Sequence, residues 1–123
     1  MLKLYVLIRD DLSPAQQAVQ AGHALAQFGL EHPYQFKTWQ EDNNILIYLS
    51  VDNIDWWKQV LNDGNFKHSV FHENGYQVNH WFPSLYGGDT AIAVAPNWYT
   101  QYTLFKDLPL ALRPEKRKRW WQR

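Results

Sequence analysis

Residues 2–29 constrain the chain most, because an apolar run of strand length (LKLYVLIR, residues 2–9) passes through the short loop Asp10–Leu12 into a well-marked helix. The run is rich in β-branched and aromatic side chains, which suit a strand. Ser13 is a good N-cap, and Pro14 is tolerated at the first helical position, where its missing N–H would have no partner. Gln16 then completes a capping box with Ser13. At 100° per residue, Gln16, Gln20, His23 and Gln27 share one stripe, and Ala15, Ala18, Val19, Gly22, Ala26 and Gly29 share another. Small side chains let a helix lie close on a sheet. The small stripe is therefore expected against the sheet, with the glutamine and histidine stripe facing a groove or solvent. A plainer reading of the same residues makes Gln16 only a capping residue and His23 a surface histidine.

Further along, Ile45–Val51 (ILIYLSV) is an apolar run suited to a strand covered on both faces. Asp52 or Asn53 caps a second helix, IDWWKQVLNDG, with Gly64 expected at the position just past its end. Lys67–Glu73 is a third strand, Asn74-Gly75 a tight-turn dipeptide, and Thr90–Ala95 a fourth strand closed by Pro96. Glu31–Asn44, which contains Pro33 and two asparagines, reads as a connector with a helical turn around Tyr34–Trp39. Tyr76–Asp89, with Pro83 and Gly87-Gly88, reads as a long exposed excursion. After Asn97 a helix begins that must stop or bend near Pro109. Alternating strands and helices imply a mainly parallel sheet with helices on both faces, and ligands in such folds bind at the strands' carboxyl edge.

At 123 residues, 46% of them hydrophobic, the chain suits one domain with a real core, residues 1–112. With no cysteine, disulfide and thiolate chemistry are excluded, and the N-terminal apolar run is too short for a signal peptide or a membrane span. A soluble cytoplasmic protein that does not contact membranes is expected. The formal net charge of zero conceals an asymmetry: Arg113, Lys116, Arg117, Lys118, Arg119 and Arg123 supply half of the twelve basic residues, against Glu115 alone. The tail 113–123 thus sits on a mildly acidic body. A basic arm of this kind, with Arg9 beside it and Trp120 and Trp121 to stack on bases, fits contact with RNA phosphates. It fits equally a solvated tail, with Arg9 merely pairing Asp10 or Asp11.

Three blocks together resemble type II peptidyl-tRNA hydrolases, small cytosolic proteins that cleave the ester joining a peptide to the 3′ end of tRNA. Val6-Leu7-Ile8-Arg9-Asp10-Asp11-Leu12 is similar to the family's first strand and Arg-x-Asp-Leu turn. Ala18-Val19-Gln20-Ala21-Gly22-His23-Ala24 is similar to its Ala-Ala-Gln-x-x-His-Ala helix, and Thr90-Ala91-Ile92-Ala93-Val94-Ala95-Pro96 to its terminal strand. The resemblance implies a three-layer α/β/α sandwich with a four-stranded mixed sheet whose last strand is antiparallel. Two departures bear on chemistry. The family's helix carries a lysine thought to serve catalysis, and counting back from Gln20 puts the neutral Gln16 there. The family's Asp-Ala-Gly turn corresponds to Glu73-Asn74-Gly75, which keeps a carboxylate.

Ester hydrolysis needs a positioned water, a group to accept its proton, and donors for the developing oxyanion. Glu73 or His23 is the candidate base, with Gln16, Gln20 and Thr90 around the scissile bond, tRNA or another RNA as partner, and no cofactor. The retained fold without the lysine also suits an RNA-binding module that has lost the chemistry. A homodimer is left open. Glu73 also reads as a solvated turn carboxylate, and Thr90 as an ordinary strand residue. A metal pair at His68 and His72 is rejected, because four residues of strand separate their Cα atoms by about 13 Å. Most of the tryptophans should be packing residues, although Trp56 and Trp57 cannot both face the core.

Overall fold

The structure is a computed structural model that describes residues 1–74 and 88–113. In chain order its elements are β1 (Leu4–Arg9), α1 (Pro14–Glu31), α2 (Pro33–Asp42), β2 (Leu46–Val51), α3 (Ile54–Asp63), β3 (His68–Glu73) and β4 (Gly88–Val94), then a π-helical turn at Thr100–Leu104. The four strands form one mixed sheet in the order β2-β1-β4-β3. β1 runs parallel to β2, with Leu4 opposite Leu46 and Arg9 opposite Val51. β4 is antiparallel to both β1 and β3, so the last strand has the expected direction and β3 runs with β1. The ends of β1, β2 and β3 and the start of β4 therefore lie along one edge.

Alternation along the strands builds a core on each face of the sheet. Leu4, Val6 and Ile8 of β1 and Ala91 and Ala93 of β4 pack with Ala21, Ala24 and Phe28 of α1 and Trp39 of α2. On the opposite face Leu7, Leu49, Val51, Ile92 and Val94 meet Ile54, Trp57 and Leu61 of α3 and Phe105 beyond the π-helical turn. Trp57 is buried and Trp56 exposed, as their adjacency on a helix requires. Trp39 is also buried but Trp98 is exposed, so packing accounts for only half of the tryptophans among the described residues.

The orientation of α1 is the reverse of the sequence expectation. Its buried residues are Gln17, Gln20, Ala21, Ala24 and Phe28, whereas Ala15, Ala18, Val19, Gly22 and Ala26 face solvent. The physical reason is that Phe28, with Ala21 and Ala24, offers more apolar area than the stripe of small residues, and the stripe through it passes Gln17 and Gln20. Close approach is supplied from the strand instead, by Ala91 and Ala93.

Two smaller expectations also change. The stretch taken as a connector contains a ten-residue helix, α2, with Pro33 at its start, where proline begins helices rather than breaking them. Asn53, one of the two residues read as caps, accepts a hydrogen bond from Trp56 N–H at the start of α3. At the other end Gly64 remains right-handed, and Asn65 takes the left-handed conformation at φ 55°. Glycine is needed at 64 for space: a Cβ there would lie 2.3 Å from the ring of Phe66.

Candidate functional site

Ser13 caps α1 through its hydroxyl, which accepts from Gln16 N–H at 3.2 Å. The Gln16 side chain itself has no hydrogen bond among the described residues, so the reciprocal half of the capping box is not formed there. One position on, Gln17 is buried and bonded at both ends of its amide. Its Nε2 donates to Leu12 O at 2.8 Å, and its Oε1 accepts from Leu112 N–H at 2.9 Å, tying the end of the described chain to the start of α1. A turn later Thr90 Oγ1 donates to Gln20 Oε1 at 2.6 Å. Gln20 is 1% and Thr90 0% exposed, so this pair lies in the interior between α1 and β4. His23 is exposed, with its ring stacked on Phe71 of β3 at 4.7 Å. Gln27 Nε2 donates to Val70 O at 3.0 Å, capping a carbonyl of the same strand. Glu73 ends β3 opposite Gly88 and is half-buried.

Gln20, His23 and Thr90 thus converge on β3 and β4, with Gln16 one turn before Gln20 and Glu73 two residues beyond Phe71. Gln20 reaches this place by packing onto the sheet, contrary to the expectation that it would border a groove.

The carboxyl edge holds a polar cleft of about 510 Å³ whose lining includes Arg9, Asp10, Asp11, Asp52, His72 and Asp89. Arg9 grips Asp11 with two parallel bonds, Nε to Oδ1 at 2.9 Å and NH2 to Oδ2 at 2.6 Å. That grip raises the Arg9 pKa and holds the Asp11 carboxyl below its usual range. Asp10 moves the other way: burial, then the neighbouring Asp11 and Asp52 carboxylates, push its pKa up. Asp89 is bonded by both Lys58 and His72. Burial alone would raise its carboxyl, but those hydrogen bonds and charges prevail and hold it low. A second cleft of about 620 Å³ lies against the start of α1, lined by Asp10, Asp11, Ser13, Gln17 and Arg113.

Of the residues assigned to RNA contact, Arg9 is paired within the edge, and Arg113 lines the second cleft. Lys116, Arg117, Lys118 and Arg119 lie outside the described residues, as do Gly75 and most of the Tyr76–Asp89 excursion. His68 and His72 point to separate partners, Phe66 O and Asp89. Among the described residues no group of three or more histidines and carboxylates could hold a metal ion. No described helix is long and apolar enough to cross a membrane. Sequence reasoning missed the Lys58–Asp89–His72 cluster and Gln17, and only the buried glutamine at the helix spacing of Ala21, Ala24 and Phe28 could have signalled the latter.

No protein-family model matches the chain, and no curated protein matches it. Among solved structures it is similar to a protein of unknown function from Agrobacterium tumefaciens strain C58, with a TM-score of 0.61. The two share 14% identity, over 88% of this chain and 96% of the other. At that identity the likeness is one of fold, an α/β architecture in which both chains are nearly completely aligned.

Proposed function

We propose that the chain is a peptidyl-tRNA hydrolase-like enzyme that cleaves the ester between peptide and tRNA, with weakened activity, where α1 meets β3 and β4. The observation that carries this reading is the bond between Thr90 and Gln20, residues 70 positions apart that come from two of the three blocks resembling that family. In this reading Glu73 accepts the proton of the attacking water, and the Gln16 amide, which has no hydrogen bond among the described residues, donates to the oxyanion. Gln20 and Thr90 fix the helix against the strand so that these groups stay aligned, and His23 flanks them. Replacing an ammonium by the neutral Gln16 removes one electrostatic contact, which lowers the rate by about 10²–10³. The basic tail supplies contact with tRNA phosphates, no cofactor is required, and a cytoplasmic location accords with the substrate.

One observation favours a second reading, an RNA-binding module without catalysis: Gln20 and Thr90 are sealed from solvent and satisfy each other. Single-turnover release of a labelled peptide from tRNA by the full chain separates the two. Release above buffer, falling about 10²-fold in Glu73→Gln, supports the enzyme. Release at the buffer rate with tRNA retained supports the binding module, and the absence of both release and binding overturns both.

A further inference from the structure

The sheet face turned toward α3 carries a polar cluster that peptidyl-tRNA chemistry leaves unused. A bulge shifts the β3–β4 register between Phe71, which is opposite Ala91, and His72, which is opposite Asp89. The extra residue is Thr90 of β4, so Asp89 and not Thr90 stands opposite His72. Here His72 Nδ1 lies 2.9 Å from Asp89 Oδ1, and Lys58 Nζ of α3 holds the other carboxylate oxygen. The Asp89 side chain is only 17% exposed, so its orientation is fixed by both partners. An ionised carboxylate can only accept, which puts the proton on Nδ1 and leaves the lone pair on Nε2. Nε2 has no partner among the described residues, and the ring, 69% exposed, borders the 510 Å³ cleft.

We propose that His72, oriented by Asp89, is the general base of a second hydrolytic site that acts on small carboxylic esters bearing an ammonium group. A base whose far nitrogen is tied to a buried carboxylate is the arrangement that holds an imidazole in one tautomer and stabilises it once protonated. The substrate class follows from what shares the cleft. Asp10 and Asp52 line it and take part in no ion pair among the described residues, so a cationic group is attracted there and an anionic one repelled. In the reaction, Nε2 takes a proton from water as the water oxygen bonds to the ester carbonyl carbon. The tetrahedral intermediate then breaks its bond to the alkoxy oxygen, and the imidazolium returns the proton to that oxygen. A carboxylic acid and an alcohol leave, and His72 is regenerated.

This inference does not rest on the peptidyl-tRNA reading, and either can fail without the other. Its test uses the full chain at low salt with two probes, the cationic glycine p-nitrophenyl ester and the anionic p-nitrophenyl hydrogen succinate. The wild-type chain should hydrolyse the cationic ester above buffer, and its acceleration over each ester's own buffer rate should be about tenfold or more greater for the cationic ester than for the anionic one. His72→Gln, which replaces an exposed ring, should lower that rate about 10²-fold, and Asp89→Asn should lower it as well. A thermal melt of each variant checks that it is folded, and His72→Gln alone decides if Asp89→Asn is not. A His72→Gln rate equal to wild type, a wild-type rate equal to buffer, or equal accelerations of the two esters over their buffer rates would overturn the proposal.

Discussion

Thr90 and Gln20 are the residues on which the interior side of the site turns. Each is a polar side chain in an apolar layer, and each is tolerated there because it bonds the other at 2.6 Å. Thr90→Val keeps the shape but leaves Gln20 Oε1 without that donor, and leaving a buried acceptor unsatisfied costs about 1–3 kcal/mol. The midpoint of denaturant unfolding should fall accordingly, and an unchanged midpoint would mean that the bond contributes nothing. The proximity of Gln20 to Thr90 was expected from the sequence, but their burial was not, because the glutamine stripe was expected to border a groove. His72 and Asp89 were not legible. Alternation along a strand cannot anticipate the bulge at Thr90 of β4, and it is the bulge that sets His72 opposite Asp89.

At the scale of the element, α1 decides how the molecule is assembled. Its start at Ser13-Pro14 follows from capping chemistry and was readable in sequence, but its buried face was not. Two stripes of similar width compete, one of small residues and one of amides, and only Phe28 with Ala21 and Ala24 settles which is inside. Gly22 tests this orientation. A Cβ at 22 would meet nothing within 4 Å, so Gly22→Ala should stabilise the helix by about 1 kcal/mol through propensity alone. If the small stripe lay against the sheet, the same methyl would overpack and lower the melting temperature. The helix α2 shows a related limit, because Pro33 signals both the end of one helix and the start of the next.

For the whole molecule, the sheet order brings the ends of three strands and the start of the fourth to one edge, which is crowded with carboxylates. Asp10 bears the consequence. Its carboxyl is raised by burial and by Asp11 and Asp52, so the folded state binds its proton more tightly than the unfolded chain does. The resulting contribution to stability is complete below about pH 4 and is lost as pH rises through the raised value. Asp10→Asn should therefore leave the melting temperature unchanged near pH 3 and raise it at pH 7. Asp89 and Asp11 have lowered carboxyls and the opposite sign: what they contribute is present above the ordinary carboxylate range and lost as pH falls through their folded values.

The same edge frames the proposed function, in which α1 carries the amide of Gln16 at the position where the resemblance would place an ammonium. Introducing that charge is the most direct test. Gln16→Lys changes a half-buried side chain that has no hydrogen bond among the described residues, so the fold should tolerate it. In single-turnover release of peptide from tRNA, the variant should run about 10²-fold faster than the wild-type chain. A variant that binds tRNA as the parent does, yet releases peptide no faster than buffer, would contradict the assignment of this site to ester hydrolysis.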